Sequence, residues 1–81
     1  MGKRGPSRIK NNIRTLRFMN DEMSQKELAK RVGVTRQTIN AIESAKYSPT
    51  LELAFQIAEV FNCSLDEVFI YKAKIDTESD T

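Results

Sequence analysis

The sequence predicts an all-α domain of five short helices, and it admits a short β-strand only near its C-terminal end. Three observations lead there. Helix-start signals recur at close intervals, at Ser24, Thr35, Thr50 and Ser64. Apolar residues between them repeat at three- and four-residue spacing, the period of one helix face. The 81 residues suffice for one domain, and a domain of that size buries only about 60% of its unfolded surface. At 40% hydrophobic and 30% charged, the composition is that of a globular domain.

The elements follow in order. Gly2, Gly5 and Pro6 make residues 1–7 a flexible basic arm. The first helix starts near Ser7 or Asn12, with Ile9, Ile13 and Leu16 on one face, and ends near Asn20-Asp21. Ser24-Gln25-Lys26-Glu27 reads as a capping box opening the second helix, and Met23 with Leu28 reads as its hydrophobic staple. Leu28, Ala29 and Val32 form the apolar face, and Gly33 stops the helix because glycine tolerates φ > 0. Thr35 caps a third helix that turns Ile39 and Ile42 inward and stops near residues 44–46. Pro49 then forbids continuation.

Thr50 caps the fourth helix. Leu51, Ala54, Phe55, Ala58 and Phe61 are expected to form its buried stripe, with Leu53, Ile57 and Val60 beside them. Phe55 and Phe61 are expected core residues. Ser64-Leu65-Asp66-Glu67 is a second capping box, opening a fifth helix through Val68 and Phe69. Residues 70–75 alternate weakly. If they form a strand, Tyr71, Ala73 and Ile75 share one side. Residues 76–81 read as a disordered acidic tail.

The rarest residues exclude whole chemistries. One Cys cannot close a disulfide within the chain. With no His, a metal site of the zinc type and a His-based triad both lack their ligands. Nothing resembles an activated nucleophile or a phosphate loop, so no enzyme, cofactor or metal is expected. Cys63, beside a helix cap, reads as a small apolar residue. No stretch approaches the roughly 20 apolar residues of a membrane span, which makes the cytoplasm the expected location.

The net charge of +2 conceals a division. Residues 1–46 carry eleven Lys and Arg against four acids, a balance of +7. Residues 47–81 carry two lysines against seven acids, a balance of −5. The basic half calls for a polyanionic partner.

Residues 25–44 narrow that partner. They hold two short helices joined by a tight turn around Gly33, with Ala29 small enough for close helix approach. The second of these helices buries Ile39 and Ile42 and presents Arg36, Gln37, Asn40 and Ala41 outward. A major groove about 12 Å wide admits one helix, and Gln and Arg match the edges of adenine and guanine. Bare N–H groups at helix starts, here after Ser24 and Thr35, favour phosphates.

These motifs resemble the Cro/phage-repressor (Xre-type) helix-turn-helix family. The likeness runs through Ser24-Gln25-x-Glu27-Leu28-Ala29, Val32-Gly33-Val34, Gln37-Thr38-Ile39-x-x-Ile42-Glu43 and Lys46-Tyr47-x-Pro49. It continues in Leu53-x-x-x-Ile57-Ala58 and Ser64-Leu65-Asp66-Glu67-Val68-Phe69, covering about three-quarters of the chain. It is similar above all to the small stand-alone dimeric repressors. The resemblance implies a five-helix domain over residues 8–70 that binds double-stranded DNA as a homodimer. Residues 71–81 would be an extension: a dimer strand, then the acidic tail.

By the same resemblance, Arg36, Gln37, Asn40 and Ala41 read bases. Ser24, Gln25, Thr35, Ser44 and Lys46 hold phosphates. Arg17 and Glu43 form an internal ion pair. The apolar residues Phe69, Ile70, Tyr71 and Ile75 are the expected dimer contact. The function implied is a repressor on a palindromic operator. The alternative is a protein-interaction module of the same fold, antitoxin or coactivator in type, working through its acidic half. The basic arm is open to two readings, a DNA contact or a solvating tail.

Overall fold

The computed structural model describes residues 8–71. In chain order the elements are β1 (Ile9–Asn11), α1 (Ile13–Met19), α2 (Gln25–Val32), α3 (Arg36–Glu43), α4 (Leu51–Val60), α5 (Leu65–Val68) and β2 (Phe69–Tyr71). The basic arm, Ile75 and the acidic tail lie outside the described residues. The all-α class holds, with five helices and one two-stranded sheet.

Helix α1 starts at the second of the two expected places, with Asn12 as its N-cap. Ile9 does not belong to a helix face but to β1, which pairs antiparallel with β2 in the register Ile9↔Tyr71, Lys10↔Ile70, Asn11↔Phe69. Asn12 continues the join by donating its N–H to Val68 O at 2.8 Å. The pairing partner lies some sixty residues downstream, so the local pattern Ile9-Ile13-Leu16 carried no sign of it. Likewise Phe69 leaves α5 with extended backbone (φ −119°, ψ 135°) and opens β2.

The middle of the chain follows its local signals. Ser24 Oγ accepts from Glu27 N at 2.9 Å and caps α2. The capping box there is only half formed, because the Glu27 carboxylate turns to Arg31 Nε at 2.8 Å. That hydrogen bond holds the Glu27 carboxyl below its ordinary range. Gly33 ends α2 at φ 77°, a conformation that costs most other residues steric strain. Thr35 Oγ1 accepts from Thr38 N at 3.2 Å and opens α3. Thr50 caps α4 in the same way, and Ser64 with Glu67 forms the complete box of α5.

The helix ends contain a less legible feature. After α3, Lys46 N bonds Ala41 O and Ala45 N bonds Ile42 O, which is a Schellman motif. Its left-handed position is occupied by Ala45 at φ 62°, where glycine is the usual residue. Asn62 at φ 55° plays the same part after α4.

Helix α4 is rotated relative to expectation. Leu53, Ala54, Ile57, Ala58 and Phe61 are buried, while Leu51 and Phe55 are 67% and 54% exposed. Phe55 is therefore not a core residue. A helix apolar on most sides can turn only one face to a core this small. Packing against α2 and α5 selects the face with small Ala54 and Ala58, which lets the backbones approach. Ile13, Leu28, Ile39, Ile42, Ile57 and Val68 are the fully buried centre. Each such side chain contributes about 1.5–3 kcal/mol by leaving water.

Candidate nucleic-acid interface

Helix α3 has two faces of opposite character. Ile39 and Ile42 are 0% and 1% exposed and fix the helix to the core. Arg36, Gln37 and Asn40 are exposed on the other side, and Ala41 is half-buried between the two. Gln37 and Lys46 have no side-chain partner among the described residues, which leaves their hydrogen-bonding groups available.

The outward residues are held by a polar network. Gln25, the first residue of α2, donates from Nε2 to Asn40 Oδ1 at 3.3 Å and to Glu43 Oε1 at 3.1 Å. Its Oε1 accepts from Arg36 Nη1 at 3.4 Å. One side chain thus ties α2 to both ends of the exposed face of α3. Half-buried as it is, Gln25 links the surface to the interior.

Beneath it lies the ion pair. Arg17 donates from Nε to Glu43 Oε2 at 2.6 Å and from Nη2 to Oε1 at 3.1 Å, a two-pronged contact. Arg17 Nη1 also donates to Met23 O at 2.7 Å. The two side chains are only 15% and 9% exposed. Glu43 therefore receives donors from α1 and α2 while sitting in α3, and the three helices are locked in one orientation.

The remaining candidates cluster at the helix ends. The Ser24 and Thr35 hydroxyls accept from the backbone as caps, and both residues are exposed. Ser44 Oγ donates to Asn40 O at 2.9 Å, and Lys46 extends from the turn that follows. Among the expected dimer residues, Phe69 is half-buried against the core, whereas Ile70 and Tyr71 are 47% and 67% exposed.

Two residues of this surface escaped the sequence reading. Asn11 donates from Nδ2 to Ile42 O at 2.9 Å, and its Oδ1 accepts from Ile13 N at 3.1 Å. It thereby pins the sheet to the end of α3. Arg14 lines the same hollow as Asn40 and Ser44. Its spacing of three residues from Arg17 is the signal that would have found it, since residues so spaced share a helix face.

A short helix capped at Thr35, packed across α2 with its polar face exposed, defines a helix-turn-helix unit. Comparison with known proteins agrees. The helix-turn-helix family model matches residues 13–68. An uncharacterised HTH-type transcriptional regulator of Methanocaldococcus jannaschii is 45% identical over 64 residues, which cover 79% of this chain and 96% of the relative. A Bacillus subtilis protein of the same description is 43% identical, over 75% of this chain and 91% of its own. A crystal structure from Bacteroides fragilis, provisionally named for DNA binding, matches with a TM-score of 0.65 at 23% identity. That match covers 75% of this chain and 97% of the other, and it speaks to the fold. The chain belongs to the helix-turn-helix family of the Xre/Cro type. No helix among the described residues is long and apolar enough to cross a membrane.

Proposed function

We propose that this chain is a sequence-specific, double-stranded-DNA-binding transcriptional regulator, acting as a repressor on a palindromic operator as a homodimer. The observation that carries the reading is the exposed triplet Arg36, Gln37 and Asn40 on a helix whose other face is fully buried. A surface helix without a partner has no need of a second helix to orient its side chains, yet Gln25 holds two of the three. Arg and Gln so placed match purine edges in the major groove, and the caps at Ser24 and Thr35 set helix N-termini toward phosphates. The names of the relatives, as HTH-type transcriptional regulators, support the same reading.

The dimer follows from size. One such module buries only about 600–1,000 Å² on DNA, and pairing doubles the footprint over half-sites about 34 Å apart. Exposed Ile70 and Tyr71 are the proposed contact. Because β2 ends in them, substitution tests this better than truncation. Ile70→Ser combined with Tyr71→Ser should sediment as a monomer and bind more weakly. A double variant that stays dimeric moves the contact elsewhere, with Leu51 and Phe55 the next exposed apolar pair.

Selection of bound duplexes from a random pool tests the whole reading. Recovery of a palindrome is the expected result. Absence of enrichment would overturn it in favour of the protein-interaction module.

A further inference from the structure

We propose that Arg14 is a further DNA contact, a guanidinium carried by α1 to a backbone phosphate alongside α3. This deepens the DNA-binding reading and rests on it. The start of α1 abuts the end of α3, since Asn11 bonds Ile42 O and Arg17 reaches Glu43. Arg14 lies one turn before Arg17 on that face and lines the hollow whose outer wall is Asn40 and Ser44.

The charges in this hollow decide its character. Arg17 and Glu43 neutralise one another at 2.6 Å. Arg14 is exposed and has no ion pair or hydrogen bond among the described residues. Glu22 lines the neighbouring hollow on the other side of Arg14 and forms no ion pair with it. The hollow thus carries one uncompensated positive charge at the C-terminal end of α3. A helix seated in the major groove has a phosphodiester strand on either side. Gln25, the first residue of α2, lines the same hollow; Arg14, with Gln25, Ser44 and Lys46, would meet one of those strands beside the end of α3. A guanidinium suits that partner, because its planar donors match two phosphate oxygens.

The test uses the full chain and the labelled duplex recovered by selection with the wild-type protein. Arg14→Ala should bind more weakly by the same factor on cognate and mismatched duplexes, with an unchanged melting temperature. Loss of one phosphate contact removes about one unit from the salt slope, so its deficit should shrink roughly 3–4-fold between 50 and 200 mM salt. Arg14→Lys should retain the slope. A methylphosphonate at one backbone position should make wild type and Arg14→Ala bind alike. If Arg14→Ala matches wild type in affinity and slope while Gln37→Ala is impaired, the Arg14 contact is refuted and the DNA-binding reading stands. A loss confined to one base position would refute the phosphate assignment and make Arg14 a base reader. If the wild type recovers no duplex, both readings fall together.

Discussion

The α2–α3 unit and the β1–β2 sheet are built by opposite rules. Every boundary in the unit is set by a residue within a few positions of it: Ser24 caps α2, Gly33 ends it, Thr35 caps α3. The sheet joins Ile9–Asn11 to Phe69–Tyr71 across nearly the whole described chain. The first is specified by side chains that satisfy their own neighbours. The second exists only once the core has brought the two strands together. What a domain of this size encodes locally is therefore the helix-turn-helix unit, and what it acquires by folding is the frame behind that unit.

The strongest test of this contrast is the link between the two. Arg17→Ala would leave Glu43 almost buried without its cation, at a cost of about 3–5 kcal/mol. A fall in melting temperature should follow, and a variant with unchanged thermal stability would remove the ion pair from its proposed role. Asn11→Ala comes next. It strips Ile13 N–H of its acceptor, and leaving one buried group unpaired costs roughly 1–3 kcal/mol; Ile42 O loses the tie to the sheet but keeps the Ala45 N–H. Hydrogen exchange should then quicken in both strands and at the end of α3. Quickening in the strands alone would show that the sheet does not brace α3.

Gln37→Ala should separate the two regions cleanly. Its side chain supports nothing in the fold, so the melting curve should stay in place while affinity for the selected duplex falls by about 1–3 kcal/mol and one base position relaxes. An even loss on all sequences would instead mark a phosphate contact. Ala45→Gly is the smallest change and the one that stabilises. Relieving an alanine at φ 62° is worth about 1 kcal/mol. For a domain of this size that raises the melting temperature by roughly 4–8 °C. No rise would mean that unfolded-chain entropy cancels the relief.

These cases also explain what could be read from the sequence. Caps and the glycine stop were visible because each is a local exchange of hydrogen bonds. The Arg17–Glu43 pair came from a family resemblance, since nothing in the spacing of residues 17 and 43 joins them. Phe55 was misplaced because apolar residues surround α4, and only contact with α2 and α5 chooses its buried face. Asn11 gives no local sign of its part; its value comes from a carbonyl 31 positions away. Arg14 stood in a row of basic residues; its three-residue spacing from Arg17 puts the two on one face of α1, and the fold sets that face beside α3. Thus the outward residues of α3 were legible, and the groups that hold or flank them were not.

The register of the sheet has a mechanical consequence. Ile9 faces Tyr71, so the described chain enters and leaves the fold at the same end of the same strand pair. A pull on the two ends would load these hydrogen bonds one after another, as a zipper opens, and never all at once in shear. The domain should therefore yield to small forces at its termini, with β1 peeling from β2 while the α2–α3 unit keeps its shape. Cargo attached at either end would emerge from one common exit.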